Sequence, residues 1–301
     1  MNRSRAVQAI AGVLLLTLFA GSVSSRRHLE QARGNEATLE EVLYMPSGKA
    51  VKRLSLGYSG LLANVYWTRA VQYFGGKHIQ RSQRYDLLYP LLDITTDLDP
   101  QLIVAYEYGA VFLSQQPPEG AGQPDKAVEL VEKGIRKNPA YWRLYFTLGF
   151  VHYIDRNDPK SAQVAFEKGS EVPGALPWMK VMAARMAERS KDVTTSMLLW
   201  QGVAETSQDH EVRETARRHL VSLRADRDIT ELERLVTAYR EQKRTLPASW
   251  ADLIRAGLLR GIPLDPGGEA YVLNPDGKVD VKDASKYPYL GEWRYNIERR
   301  F

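Results

Sequence analysis

The sequence has no cysteine. That excludes disulfides, thiolate metal sites and a lipid anchor built on a cysteine. Histidine is sparse: His28, His78, His152, His210 and His219 are scattered and form no pair at metal-ligand spacing. No glycine-rich phosphate loop, dinucleotide fingerprint, nucleophile elbow or zinc motif occurs. Gly48-Lys49 follows a proline-containing turn, but Ala50 stands where a phosphate loop needs Ser or Thr, and the glycine cluster is missing. These gaps give no support for an enzyme, and no cofactor or small-molecule substrate is expected. A one-sided charge is also lacking. The net charge is +5. Arg3, Arg5, Arg26, Arg27 and Arg33 against Glu30 put +4 of it in residues 1–33, leaving about +1 for the rest. No basic stripe marks the body as a nucleic-acid binder.

What is present is ordinary globular chemistry, 44% hydrophobic and 26% charged residues over 301 positions. Residues 6–25 carry no formal charge and include Gly12-Val13-Leu14-Leu15-Leu16-Thr17-Leu18-Phe19-Ala20. Twenty helical residues reach about 30 Å, enough for a bilayer core. The segment is read as an N-terminal membrane anchor (residues 1–27), with a cleaved signal ending at Val23-Ser24-Ser25 as the alternative. Either way residues 26 onward are expected outside the cytoplasm: tethered to a bacterial inner membrane and facing the periplasm, or free in the periplasm after cleavage. Residues 28–58 read as an extended lead-in with a turn at Pro46 and Gly48.

From residue 59 the punctuation is helical. Asp99-Pro100, Asn138-Pro139 and Pro173 end apolar stretches at separations of 39 and 34 residues. The extra length of the first interval falls in the loop Pro117-Pro118-Glu119-Gly120-Ala121-Gly122-Gln123-Pro124. Trp67, Ala70, Val71 and Phe74 form one helical stripe, answered by Leu88, Leu92 and Thr95. Tyr106, Gly109 and Ala110 precede Ala127, Val131 and Gly134. Tyr141, Trp142, Tyr145, Leu148 and Gly149 precede Ala162, Phe166 and Gly169. Small residues at such positions let paired helices approach closely, and large ones fill the space between them. This pattern resembles the tetratricopeptide repeat, a pair of antiparallel helices about 34 residues long. In the unit beginning at Tyr141, the second-helix positions arrive one residue late. A degenerate further pair runs from Pro177 to about Ala204, followed by a closing helix from Glu211 to Leu223. The resemblance implies a repeat domain over residues 59–227 and a right-handed superhelix whose groove binds protein segments. Of the many aromatics, Tyr66, Tyr73, Tyr106, Tyr145, Tyr289 and Trp293 are candidate anchors for such a partner. Core packing is the plainer role for most of them.

Past Ile229 the character changes. An amphipathic helix runs from Ile229 to about Thr245, Ser249 caps a short helix ending near Leu259, and Tyr271–Leu273 and Lys278–Val281 read as strands around Asn274-Pro275-Asp276-Gly277. Pro263, Asp265, Pro266, Gly268 and Tyr271 resemble a turn in the soluble head of type II secretion pseudopilins, although Gly267 replaces a tryptophan and the N-terminal processing signature is absent. Asp265, Asn274, Asp276 and Asp280 are oxygen donors that either serve calcium, as that resemblance suggests, or serve their own turns. No metal site is assigned.

The expected architecture is thus mainly α: a transmembrane helix, about four helix pairs, and a small α+β module with a hairpin over residues 228–301. The expected role is a protein-binding scaffold in envelope assembly, secretion or pilus function. The alternative is a structural subunit of a larger membrane complex.

Overall fold

The computed structural model describes residues 47–291. The apolar segment 6–25 and Trp293 lie outside the described residues. Among the described residues no helix is long and apolar enough to cross a membrane. The protein is mainly helical with one small two-stranded antiparallel sheet. It divides into two units, residues 47–105 with 117–121, and residues 106–116 with 122–291.

The first unit holds α1 (Gly48–Leu54), α2 (Ser59–Ile79) and α3 (Leu88–Leu98). The expected extended lead-in is helical at its end. Ser47 is not a turn residue but an N-cap, accepting from the Ala50 amide at 3.3 Å. Gly48 fits because a Cβ there would lie 2.5 Å from Asp97 Cβ. Ala63 and Ala70 are the fully buried positions of α2, small enough to let α3 approach. Val51, Leu62, Ala63 and Tyr66 pack with Ile94 and Leu98. Tyr85 is buried, and its hydroxyl donates to the Pro118 carbonyl at 2.8 Å.

In the second unit α4 (Ile103–Ser114, counted from Tyr106), α5 (Pro124–Lys137), α6 (Trp142–Phe150), α7 (Pro159–Ser170), α8 (Trp178–Arg189) and α9 (Val193–Thr206) follow the expected order. The small residues do the expected work. A Cβ on Gly134 would meet the Tyr106 ring at 2.8 Å, one on Gly149 the Phe166 ring at 2.6 Å, and one on Gly169 would run into Met179 Cε and Tyr145 Cβ. After Phe150 the chain makes a π-turn over Val151–Asp155, where the Arg156 amide donates to the Val151 carbonyl at 3.1 Å. That turn absorbs one extra residue without ending the helix.

One helix stands where the sequence suggests two. α10 runs unbroken from His210 to Lys243, about 50 Å long, straight through the expected break near residue 227. Asp209 caps it by accepting from the Glu211 and Val212 amides, and Arg244 ends it in the left-handed region (φ 61°). Its second half, through Ile229, Leu232 and Val236, forms the core on which the last 50 described residues fold, together with Trp250, Leu253, Tyr271, Val279, Val281 and Tyr287. α11 (Trp250–Arg255) carries a capping box between Ser249 and Asp252 and stops at Gly257 (φ 71°). The hairpin pairs Val272 with Asp280 and Leu273 with Val279.

Candidate partner-binding surface

The five aromatic candidates among the described residues do not form one site. Tyr106 is fully buried, its ring occupying the space that Gly134 leaves open, so it is core rather than an exposed anchor. Tyr66 and Tyr73 are half-buried on α2, with the Arg69 guanidinium 5.6 Å from one ring and the Lys77 ammonium 5.8 Å from the other. Tyr145 is half-buried and donates to the Pro139 carbonyl at 3.2 Å. Tyr289 stacks flat on His219, with centroids 3.6 Å apart.

That stack belongs to a polar cluster with no counterpart in the sequence reading. His219 on α10 is 1% exposed and lies between the rings of Trp200 (4.0 Å) and Tyr289. Glu188 Oε1 accepts from Trp200 Nε1 at 2.7 Å and lies 2.9 Å from His219 Nδ1. One turn further along, Ser222 Oγ accepts from the Tyr289 amide at 3.3 Å. The Asp226 carboxylate, 1% exposed, takes the Gly291 amide on both oxygens at 3.1 and 3.2 Å. Both faces of the imidazole are covered by aromatic rings. The cluster holds residues 287–291 as a strap along α10.

The acidic residues proposed as oxygen donors are taken up by turns. Asp265 Oδ1 accepts from the Gly267 and Glu269 amides at 2.9 and 2.8 Å, Asn274 Nδ2 donates to Asp280 Oδ2 at 3.1 Å, and Asp276 accepts from the Lys278 amide at 3.0 Å. A Cβ on Gly267 would lie 3.1 Å from the Tyr287 hydroxyl and 3.3 Å from Asp265 Oδ1. Among the described residues no group of three acidic or histidine side chains is placed to hold a metal ion.

At the π-turn, His152 is buried and its Nδ1 has no hydrogen-bond partner. Burial, aided by the Arg156 charge, holds its pKa below the usual histidine value, so the ring is neutral. Burial likewise raises the Asp155 carboxyl, against a hydrogen bond from Ser114.

Among the described residues an open groove lies between α9 and α10. Val193, Thr194, Met197, Leu198 and Gln201 recur at helical spacing on one wall, and Leu220, Arg224 and Arg227 on the other, around an open groove of about 280 Å³. Trp200, Val203, Ala216 and Leu223 pack beneath it and fix the two helices. Leu198 is 67% exposed, and Arg224 and Arg227 are exposed at the rim, the latter 3.3 Å from Asp228. Sequence reading missed this groove. Its apolar residues sit on a helix whose other face is also apolar, so periodicity alone does not separate core from surface.

No protein family, curated protein or solved structure matches the chain.

Proposed function

We propose that this chain is a membrane-tethered scaffold built on tetratricopeptide-like helix pairs, with residues 6–25 as its anchor and the body in the bacterial periplasm. On this reading it holds a segment of another protein in cell-envelope assembly, secretion or pilus function. The repeat reading is supported by paired helices whose contacts depend on Gly134, Gly149 and Gly169. The binding reading is carried by the groove between α9 and α10. Exposed Leu198 and half-buried Met197 offer apolar contact, and Arg224 and Arg227 offer positive charge. The matching occupant is an amphipathic segment with apolar anchors and acidic flanks.

The test is affinity purification from solubilised membranes, comparing the natural chain with Leu198→Asp and Arg224→Glu. Both positions are exposed, so the melting temperature is expected to hold while a protein partner is lost. An unchanged set of copurifying proteins in both variants would remove the groove from the argument.

A further inference from the structure

No aspartate or glutamate occurs between Glu41 and Asp86, a run of 44 residues in a chain with 36 carboxylates. The same run carries Lys49, Lys52, Arg53, Arg69, Lys77, Arg81 and Arg84. Its structure separates two kinds of surface. α1 turns Gly48 and Val51 inward, towards Asp97 and the Ala63–Ile94–Leu98 core, and leaves Lys49, Lys52 and Arg53 exposed. Beside these cations stands a row of exposed apolar side chains at the elbow between α1 and α2: Leu54 (78% exposed), Leu56 (88%), Tyr58 (70%) and Leu61 (64%). The apolar exposure fades along α2, whose open face continues as Asn64, Val65, Thr68, Arg69 and Gln72.

The backbone adds a second observation. Leu56 lies in the left-handed region (φ 49°), followed by Gly57 at φ 93°. Leucine is an unfavourable residue there, where glycine or asparagine would normally sit. Here the strained position presents one of the most exposed leucines of the described chain. A costly backbone that displays a costly side chain needs a gain from something outside the fold.

We propose that this elbow is a membrane-contact face, with Leu54, Leu56, Tyr58 and Leu61 entering the interface of an anionic bilayer and Lys49, Lys52 and Arg53 lying among the lipid phosphates. The proposal rests on the membrane reading above. Residues 26–47 separate the apolar segment from α1, a tether of 22 residues that lets the elbow reach the surface in which that segment would sit. Leucine and tyrosine beside a cluster of cations is the composition of an interfacial segment. Three other occupants fit less well. A second copy of the face would set Lys49, Lys52 and Arg53 against cations of the same kind. A nucleic acid would satisfy the cations and leave the leucines in water. The chain's own residues 29–44 bring Glu30, Glu36, Glu40 and Glu41. Yet the seven cations plus Arg33 against those four carboxylates still leave +4 over residues 29–85.

The absence of cysteine makes the test clean. The full chain, as single-cysteine variants Leu56→Cys, Leu61→Cys and the control Leu198→Cys, is labelled with an environment-sensitive fluorophore. Each is reconstituted into vesicles of phosphatidylcholine alone or with phosphatidylglycerol, with and without spin-labelled lipid. Labels at 56 and 61 are expected to be quenched by the lipid, several-fold more in the anionic vesicles. The quenching should weaken at high salt and on changing Lys49, Lys52 and Arg53 to glutamate, while the label at 198 stays unquenched. Labels at 56 and 61 that remain open to an aqueous quencher overturn the proposal. So do labels shielded equally in detergent and vesicles without lipid quenching, which would assign the cover to residues 29–46. A response to added RNA in place of lipid also overturns it. The scaffold reading fails separately. Lipid quenching can persist while the groove variants retain every copurifying protein, and partner capture can persist while the elbow stays in water.

Discussion

Gly149→Ala and Gly202→Ala are the same substitution inside two helices of one unit, and the structure predicts opposite signs. In both, alanine removes the entropic penalty of a helical glycine, a gain of about 0.5–1 kcal/mol. At Gly202, on α9, an added Cβ meets no other atom within 4 Å, so the gain stands. At Gly149, on α6, the same Cβ would lie 2.6, 2.7 and 2.8 Å from three atoms of the Phe166 ring. Ordinary carbon contacts are about 3.5–4.0 Å, so the ring must retreat by roughly 1 Å. It has nowhere to go: Phe166 is fully buried and meets Phe150 edge to face at 5.3 Å, within a cluster that includes Met179 and Ala183. Overpacking costs about 1–3 kcal/mol, and with Phe166 unable to retreat the upper part of that range, about 2–3 kcal/mol, applies; less the helix gain, the net loss is about 1–2 kcal/mol. For a unit of this size that is a melting temperature lower by roughly 2–8 °C for Gly149→Ala, and higher by roughly 1–4 °C for Gly202→Ala. Thermal unfolding followed by circular dichroism reads both. Pairing Gly149→Ala with Phe166→Leu tests the cause, because the smaller side chain should make the alanine less costly than it is beside phenylalanine. If the two glycine variants move in the same direction, or the pair is strictly additive, the close-approach account of these helix pairs is refuted.

Three further outcomes follow from single contacts. Asp192 caps α9 by accepting from the Thr195 amide at 3.0 Å and its hydroxyl at 2.8 Å, so Asp192→Ala should cost about 1 kcal/mol in a urea titration and Asp192→Asn much less. Those hydrogen bonds hold the Asp192 carboxyl below the usual aspartate value, so the cap's charged contribution is complete above about pH 4 and declines as pH falls through the folded pKa. Asp226→Ala should cost about 1–3 kcal/mol by leaving the buried Gly291 amide without its acceptor, and should speed tryptic cleavage at Lys282 and Lys286 as the strap loosens; unchanged cleavage would deny the strap its role. His152 has a folded pKa depressed by burial, so the unfolded chain binds its proton first and stability falls as pH drops below about 6.5 until the folded pKa is passed. His152→Gln should flatten the urea midpoint between pH 7 and pH 5 relative to the natural chain, whatever it does to stability at pH 7.

The helix pairs were legible because close packing writes itself locally. Pro100 and Pro139 each follow a C-cap residue, Asp99 and Asn138, and the small residues at 134, 149 and 169 face large rings a short distance away in sequence. The hairpin and capped helix of the C-terminal module were legible for the same reason, since Asn274–Gly277 and Ser249–Asp252 carry their own turn and cap chemistry. Two of the errors involve distant partners. Gly48 reads as a turn until Asp97, 49 residues on, is seen to leave no room for a side chain. The sequence reading ended one helix at Leu223 and began another at Ile229, yet between them Asp226 is a buried helical residue that accepts from Gly291, 65 residues away.

The same distinction separates two faces of α10. Residues 219, 222, 223 and 226 face inward and are almost fully buried, three of them polar, while 220, 224 and 227 line the open groove and include exposed cations. A rule that puts apolar residues inside and charged ones outside assigns His219, Ser222 and Asp226 to the surface. They are inside because the strap brings a backbone amide to Ser222 and another to Asp226, and an aromatic ring to His219. With those positions occupied from within the chain, the side of α10 left open to a partner is the one carrying Leu220, Arg224 and Arg227. On the proposed scaffold reading, the strap would also limit where a partner could bind, by closing one side of α10. Loosening it through Asp226→Ala should expose a second, polar side and broaden the set of proteins that copurify, whereas Leu198→Asp should narrow it. If both variants change the set alike, the two sides of α10 are not distinct surfaces, and the assignment of the groove to one class of partner falls.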